Sequence, residues 1–248
     1  MARDERDWRA RIDEVRYEGP SLLQSLRAPS PCVKVIAEVK RRSPSKGVLN
    51  ATLDVVELAR SYERGGASAI SVLTDQPHFG GSRDDLTAAH SSVGLPILRK
   101  DFTVGPNDVL DAAAMGAAGV LLIVAALSDQ ELRDLLALAA RCGIDAVVEV
   151  HDEPEARRAL AAGSAIIGVN QRDLRTFEVD VDRAVAVATG LPHDVVTIAE
   201  SGLSNVADVR RVALAGFDAV LVGEAFVRSS DPETRVRSFA GVSKANRA

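Results

Sequence analysis

Aromatic residues, cysteines and long apolar runs are scarce in this sequence, and each scarcity excludes a class of protein. Only 4% of the 248 residues are aromatic, which argues against a surface built to stack on nucleic-acid bases. The two cysteines, Cys32 and Cys142, form no metal-ligand cluster and are typical of a reducing compartment, with one disulfide between them as the alternative. No stretch approaches ~18 consecutive apolar residues, so no transmembrane helix is expected.

Excess charge and histidine clusters are also missing. The formal net charge is −5 and the pI is about 5.5, so neither nucleic acid nor an anionic membrane is an expected partner, and any anion must be bound by local groups. Residues 1–19 are charged throughout and have no apolar core of a signal peptide, so a cytoplasmic location is expected. The four histidines show no ligand spacing, and no metal is expected.

One unit recurs from residue 33 onward: an apolar run, polar turn residues, and an alanine-rich amphipathic segment. The apolar runs are Val33–Val39, Ser68–Leu73, Pro96–Leu98, Gly119–Ile123, Ala146–Val150, Ala165–Val169, Val195–Ala199 and Ala219–Val222. The helical segments between them are Asp54–Gly65, Asp84–Ser91, Asn107–Met115, Asp129–Cys142, Glu153–Ala162, Val181–Ala188 and Asn205–Ala215. Eight such units predict an α/β protein with a single (β/α)8 TIM barrel rather than two domains.

A helical extension precedes the predicted barrel. The residues from Asp4 to Leu26 carry helical periodicity in a strongly charged background, interrupted by Gly19-Pro20, a pair that breaks helices. The predicted organisation is therefore an N-terminal helical extension over residues 1–32, packed on a catalytic barrel over residues 33–248.

Polar residues end several of the predicted strands, where barrel enzymes hold their catalytic groups. Strand alternation places six of them on the lumen side, because residues two apart point the same way: Glu38, Lys40, Lys100, Glu149, Asn170 and Glu200. Any one alone is more often ion-paired or solvated than catalytic. Six at one mouth, of which three are carboxylates and two are ammonium groups, predict coupled protonation, as acid and base catalysis requires, with a structural charge network as the alternative.

Loops at the same mouth have the composition of an anion site. The basic, hydroxyl-bearing segment Arg41–Gly47 follows the first run, and Gly202 and Gly223 precede helical patterns after the seventh and eighth runs, where barrels commonly bind phosphate. The alternative is that both glycines serve only tight turns. His151 follows Glu149 closely, and we expect it to be exposed rather than to influence that carboxylate.

Seven motifs at these strand ends resemble those of the indole-3-glycerol phosphate synthase family of tryptophan biosynthesis. They are VIAEVKRRSPSKG, SVLTDQPHFGGS, PILRKDF, VEVHDE, IIGVNQRDLRTFEVD, IAESG and VLVGEAFVR, in order from about Val35 to Pro232. The resemblance implies a lyase that closes the pyrrole ring of 1-(2-carboxyphenylamino)-1-deoxyribulose 5-phosphate with loss of CO₂ and water. It implies no cofactor and no metal, a small phosphorylated anthranilate derivative as the partner, and a monomer or weak homo-oligomer.

The resemblance also implies roles for individual residues. Lys100 would be the general acid that activates the ketone, Glu149 the acid/base in dehydration, and Lys40 a contact to the substrate carboxylate that shares proton transfer. The catalytic set would be completed by groups that hold these side chains and the substrate: Glu38, Asn170, Glu200 and Ser201. The binding residues would be Arg172, beside Ser201 at the anthranilate end, and at the phosphate Ser43, Gly202, Gly223 and the backbone of Glu224.

Three other functions fit a charged barrel. A phosphoribosylanthranilate isomerase would use a Cys/Asp pair, and no thiol ends a predicted strand. An aldolase would use Lys100 or Lys40 as a Schiff base. A diverged paralogue would only bind a sugar phosphate, and the intact charged set argues against it. The sequence departs from the family pattern at Gln171 and at Gly105-Pro106-Asn107.

Overall fold

Eight parallel strands close into a barrel in the computed structural model, which describes residues 7–44, 46–172 and 179–245. The strands are β1 (Lys34–Val39), β2 (Ala69–Leu73), β3 (Ile97–Lys100), β4 (Gly119–Ile123), β5 (Asp145–Val150), β6 (Ile166–Asn170), β7 (Val196–Glu200) and β8 (Ala219–Val222). Each pairs with its neighbours in sequence, and β8 pairs with β1 through the register Lys34↔Ala219. The prediction of a single (β/α)8 barrel is confirmed.

Helices follow the strands, as a right-handed βα repeat requires. The α-helices described are Trp8–Arg11, Leu22–Arg27, Val55–Arg64, Gln76–Phe79, Arg83–Ser92, Pro106–Ala114, Asp129–Arg141, Glu153–Ala161, Val181–Thr189, Val206–Leu214, Glu224–Val227 and Pro232–Ala240, with one 3₁₀ turn at Val124–Ala126. The seven predicted interstrand helices lie within about one residue of their expected bounds because polar caps fix their starts. Ser128, for example, accepts the Glu131 N–H in a capping box.

The strand predictions differ from the structure mainly at the carboxyl ends. The third run, Pro96–Leu98, is too short, since β3 continues to Lys100, which pairs with Leu73. The sixth and seventh runs also stop one residue early, because Asn170 and Glu200 still pair with each other. Charged side chains end the apolar pattern, but the backbone ladder continues beneath them. Most of the charged residues therefore stand on the sheet itself.

Three short elements have no counterpart in the predictions. Arg42–Ser43 and Gly47–Val48 pair antiparallel in the loop after β1, and the helix Gln76–Phe79 follows β2 and contacts that hairpin. The third is the 3₁₀ turn after β4. All three lie at the carboxyl end of the barrel, and Ser43 and Phe79 of the first two line its mouth.

Four fully buried apolar side chains fill the lumen below the mouth: Ile36, Leu98, Val147 and Ile198. They belong to β1, β3, β5 and β7, the odd-numbered strands, and a barrel of eight strands stacks its interior in layers of four taken from alternate strands. The next layer toward the carboxyl end therefore contains the residues two positions later, which are Glu38, Lys100, Glu149 and Glu200. Barrel geometry alone brings these four together.

The segment before the barrel packs across the amino ends of the strands. Ser21 Oγ and the Leu23 N–H both donate to the Asp145 carboxylate at the start of β5, at 2.9 Å. Leu22 is fully buried, and a Cβ at Gly119 would lie 2.9 Å from its side chain. The division at residue 32 stays a prediction, and residues 1–6 lie outside the described residues.

We expect Leu22→Ala to lower the free energy of unfolding by about 2–5 kcal/mol, because it opens a cavity among well-packed strands. The value of kcat should stay unchanged, since Leu22 lies at the end opposite the mouth. Urea unfolding measures the first quantity. Leu214→Ala is the matched control, being 64% exposed and expected to cost less than about 0.5 kcal/mol. Equal losses in the two variants would show that the extension adds no stability.

Candidate active site

A cavity of about 540 Å³ opens at the carboxyl ends of the strands. Eleven of the twelve predicted site residues line it: Glu38, Lys40, Ser43, Lys100, Asn170, Arg172, Glu200, Ser201, Gly202, Gly223 and Glu224. The exception is Glu149, which is 3% exposed and contacts Lys100 and Asn170. The structure thus brings the set together, because Glu149 is adjacent to two residues that line the cavity.

Two lysines divide the acidic residues of the mouth between them. Lys40 Nζ lies 2.7 Å from Glu38 Oε1. Lys100 Nζ lies 3.3 Å from Glu200 Oε2 and 3.6 Å from Glu149 Oε2. The three carboxylate side chains are at most 5% exposed, so each would be costly to ionise without these cations.

The protonation of these groups follows from burial and neighbouring charge. For Glu38, burial opposes ionisation, but Lys40 and Lys100 outweigh it and lower the pKa below the ordinary value. For Lys100, burial opposes the charge, yet Glu200, Glu149 and Glu38 together raise its pKa above the ordinary value. For Glu200, burial dominates and Glu149 and Glu38 add to it, so its pKa rises to about 7 although Lys100 opposes the change. Lys100 is therefore charged at neutral pH, while Glu200 exchanges a proton there.

Asn170 links Glu149 to the loop that follows β6. Its Nδ2 donates to Glu149 Oε1 at 3.1 Å, and its Oδ1 accepts the Arg172 N–H at 3.0 Å. One amide side chain thereby fixes both the carboxylate and the start of a loop. Residues 173–178, which follow in the predicted motif, lie outside the described residues.

Hydrogen bonds made by Arg99 of β3 and by residues just after β2 and β3 hold the backbone around Lys100 in place. Arg99 donates to Thr74 Oγ1 at 3.1 Å and to Asp101 Oδ2 at 2.9 Å, and the Thr74 hydroxyl donates to the same Asp101 oxygen at 2.5 Å. Arg99 also donates to the Asp108 carbonyl at 2.8 Å. The backbone on both sides of Lys100 is therefore fixed by charge-assisted bonds.

The peptide after Glu200 has an uncommon conformation. Ser201 has φ +67°, in the left-handed region that non-glycine residues seldom adopt. Gln171, fully buried, donates from Nε2 to the Ser201 carbonyl at 3.1 Å, and its own N–H donates to the Glu200 carbonyl at 3.0 Å. Gln171, one of the two positions that differ from the family pattern, thus stabilises the strained turn at Ser201 by a hydrogen bond. At the other departure, Pro106 is the first residue of a helix, a position that suits proline.

The predicted phosphate residues line the cavity, but N–H groups at the start of the nearby helix Val206–Leu214 already have hydrogen-bond partners within the protein. Asn205 Oδ1 accepts the N–H groups of Ala207 and Asp208, and Asp208 accepts those of Ser204 and Asn205. These N–H groups are therefore already paired, and the anion site at this side of the mouth stays a prediction. The predicted phosphate residues that line the cavity are Ser43, Gly202 (φ +72°), Gly223 and Glu224.

Several residues at the mouth are absent from the sequence predictions. Ser71 is fully buried, lies opposite Glu38 in the ladder, and contributes to lowering the pKa of Glu38, after burial and the two lysines. Phe79 and Arg228 line the cavity. The signal for Arg228 was its spacing of four from Glu224, with which it pairs at 3.3 Å. Ser71 carried none, since a serine within an apolar run looks like part of the strand.

The expectation that His151 is exposed is wrong, because its side chain is only 15% exposed.

Among residues 7–44, 46–172 and 179–245, no group of three or more His, Cys, Asp or Glu side chains has a geometry suited to a metal ion. In the same ranges, no helix has both the length and the apolar character needed to cross a membrane.

A closed parallel barrel whose carboxyl-end cavity holds coupled acids and bases defines an enzyme of the (β/α)8 class. Comparison with known proteins identifies the family. Residues 4–239 match the sequence pattern of indole-3-glycerol phosphate synthase, and the chain belongs to that family. This confirms the predicted activity, a carbon–carbon lyase of tryptophan biosynthesis, and does not favour the isomerase or paralogue alternative.

Individual relatives and solved structures agree with this assignment. The chain is 50% identical to indole-3-glycerol phosphate synthase of Mycolicibacterium vanbaalenii, over 91% of this chain and 84% of that protein. It is 49% identical to that of a Nocardioides species, over 94% and 95% of the two chains. A solved N-acetylmannosamine-6-phosphate 2-epimerase from Clostridium perfringens has a TM-score of 0.65 at 14% identity, covering 86% of this chain and 93% of its own. At that identity the likeness concerns the fold alone.

We expect Gly168→Ala to lower kcat/KM by roughly 100-fold, the cost of a misplacement of about 1 Å in an active site. A Cβ at this position of β6 would overlap Glu200 Oε1, so the Glu200 carboxylate must move away from Lys100. Steady-state kinetics measure the effect. Ile167→Val is the control on the same strand, because Ile167 is fully buried and alternates to the opposite face. Wild-type kinetics in Gly168→Ala would show that the position of Glu200 is unimportant.

We expect Glu200→Gln to gain stability relative to the wild type as the pH rises from 5 to 8. The folded pKa of Glu200, about 7, lies above the ordinary value of a glutamate, so the folded state binds more protons in this window and the wild type loses stability with rising pH. Glutamine stays neutral throughout, and the difference should grow by on the order of 2 kcal/mol. Urea unfolding at several pH values measures it. A difference independent of pH would contradict the raised pKa.

Proposed function

We propose that the cavity catalyses ring closure of 1-(2-carboxyphenylamino)-1-deoxyribulose 5-phosphate to indole-3-glycerol phosphate through proton transfers by its own side chains. The observation that carries this proposal is the position of the Lys100 ammonium, within 3.6 Å of two buried carboxylates at the end of the barrel. A charged donor that can be recharged by an adjacent acid is what a carbonyl needs when a carbon nucleophile attacks it.

In the first step, Lys100 donates to the ketone oxygen as the ring carbon that bears the carboxylate forms a bond to the ketone carbon. The ketone oxygen becomes a hydroxyl, and the ring recovers its aromatic character when the carboxylate leaves as CO₂. The raised pKa of Glu200, due first to burial, makes it a group that can return a proton to Lys100 near neutral pH.

In the second step, water is lost across the bond between the former ketone carbon, which carries the hydroxyl, and the adjacent methylene carbon attached to the nitrogen. Glu149 accepts a proton from the substrate, and a lysine protonates the hydroxyl that leaves. Lys40 shares this proton transfer and contacts the substrate carboxylate; its pairing with Glu38 at 2.7 Å keeps the ammonium at the rim of the cavity.

The remaining residues bind and orient the substrate in this proposal. Arg172 and Ser201 contact the anthranilate end, Asn170 holds Glu149 through its 3.1 Å hydrogen bond, and the phosphate binds at the loops that follow β1, β7 and β8. The phosphate residues are Ser43, Gly202, Gly223 and the backbone of Glu224. The Glu224 carboxylate, which would repel a phosphate, is paired with Arg228.

Three expectations about this enzyme stay predictions: that it uses no cofactor, that it is located in the cytoplasm, and that it is a monomer or a weak homo-oligomer. An assay of indole-3-glycerol phosphate formation by fluorescence, on purified protein with no metal or cofactor added, tests the first of these directly.

We expect Lys100→Ala to lower kcat by about 10³-fold or more, because it removes both the general acid and the charge that holds two carboxylates. Cooperative unfolding and the circular dichroism spectrum should be retained. The same fluorescence assay measures turnover. Lys34→Ala is the matched control, since Lys34 starts β1 at the opposite end of the barrel. A kcat close to that of the wild type would refute the role of Lys100.

A further inference from the structure

His151 lies directly behind the catalytic layer, in the turn between β5 and the helix Glu153–Ala161. It follows Glu149 by two residues, and its imidazole lies beside the Glu149 carboxylate. Its side chain is only 15% exposed. His151 does not line the cavity, and any influence it has on the reaction must act through Glu149.

Glu155 fixes the orientation of the imidazole ring. Its Oε2 lies 3.1 Å from His151 Nδ1 and accepts the His151 backbone N–H at 2.8 Å. Nδ1 therefore carries a hydrogen, and the other ring nitrogen is turned toward Glu149, with Nε2 lying 3.6 Å from Glu149 Oε1. That Nε2 atom is buried and has no hydrogen-bond partner.

Charges from several elements face this pair. Lys100 on β3, Asn170 on β6 and Glu200 on β7 surround Glu149. The carboxylates near the imidazole are Glu149, Glu155 and Glu200. Arg158, which also pairs with Asp129, helps to lower the pKa of Glu155 through its positive charge. The hydrogen bond to Glu155 is the largest influence and, with the three carboxylates, raises the pKa of His151 against the effect of burial.

We propose that His151, held by Glu155, is a positioning residue whose imidazolium provides a second counter-charge to the Glu149 carboxylate and orients it for proton abstraction. Glu149 then has a cation on each side: Lys100 at Oε2 and His151 at Oε1. This inference rests on the role proposed for Glu149 in dehydration. It assigns to the Glu155–His151 pair the task of supplying counter-charge without contact to the substrate.

The pH dependence of kcat/KM tests this assignment. In His151→Asn the carboxylate loses a neighbouring cation, so the acid limb of the profile should move to higher pH by about one unit, the lower end of the effect of an opposite charge at this distance. Glu155→Gln should move it in the same direction by less. Glu153→Gln is the matched control, since Glu153 lies on the same helix and its ion pair with Arg157 is on the surface, and its profile should coincide with the wild type.

Histidine NMR provides a readout independent of activity. The protein has four histidines, and the spectrum of His151→Asn identifies the signal of His151. In Glu149→Gln that signal should titrate at lower pH than in the wild type, because a carboxylate that favours the imidazolium is gone. An unchanged titration, or an unchanged pH profile in His151→Asn, refutes the inference. Wild-type turnover in Glu149→Gln would refute the role of Glu149 itself, and with it this proposal.

Discussion

The ammonium group of Lys100, placed between two buried carboxylates, is the interaction on which the mouth of this barrel depends. Glu149 and Glu200 stand on different strands, and both are at most 4% exposed. Without a cation between them, two such carboxylates would take up protons or separate. With it, one layer of the barrel holds charged groups at short distance, and the burial that makes them costly also makes each sensitive to the protonation of the others.

The layer itself is a consequence of barrel geometry. Interior side chains of an eight-stranded barrel come in fours from alternate strands, and the apolar layer of Ile36, Leu98, Val147 and Ile198 is followed, two residues later on the same strands, by the charged one. The same framework that packs aliphatic residues into a stable core thus aligns acids and bases at its carboxyl end. On each of these strands the side chain that packs in the core and the charged side chain at the mouth are two residues apart.

This regularity explains how much of the molecule follows from sequence. Apolar runs, polar caps and strand alternation predict the barrel, the helix bounds and the convergence of Lys100 with its carboxylates, because each depends on local pattern. The position of His151 and the hydrogen bond from Gln171 to Ser201 do not follow from it. Both depend on contacts across neighbouring units, and a single sequence carries no periodic signal for them. The hydrogen bonds at the start of the helix Val206–Leu214 are local in sequence, yet they were not predicted, because Asp208, which accepts the Asn205 N–H, resembles an ordinary surface acid.

The two ends of the barrel differ in how completely their polar groups are paired. At the amino end, Asp145 accepts two hydrogen bonds from the extension, and Asp218 bonds to Thr197 and Lys244. At the carboxyl end, Glu200 Oε1 and His151 Nε2 are buried without a hydrogen-bond partner, a condition that costs stability. Such groups persist where the surrounding structure holds them in place. The difference in hydrogen bonding between the two ends therefore indicates that the carboxyl end is selected for chemistry on a ligand. The paired groups at the amino end stabilise the fold, and this stability offsets the cost of the unpaired groups at the mouth.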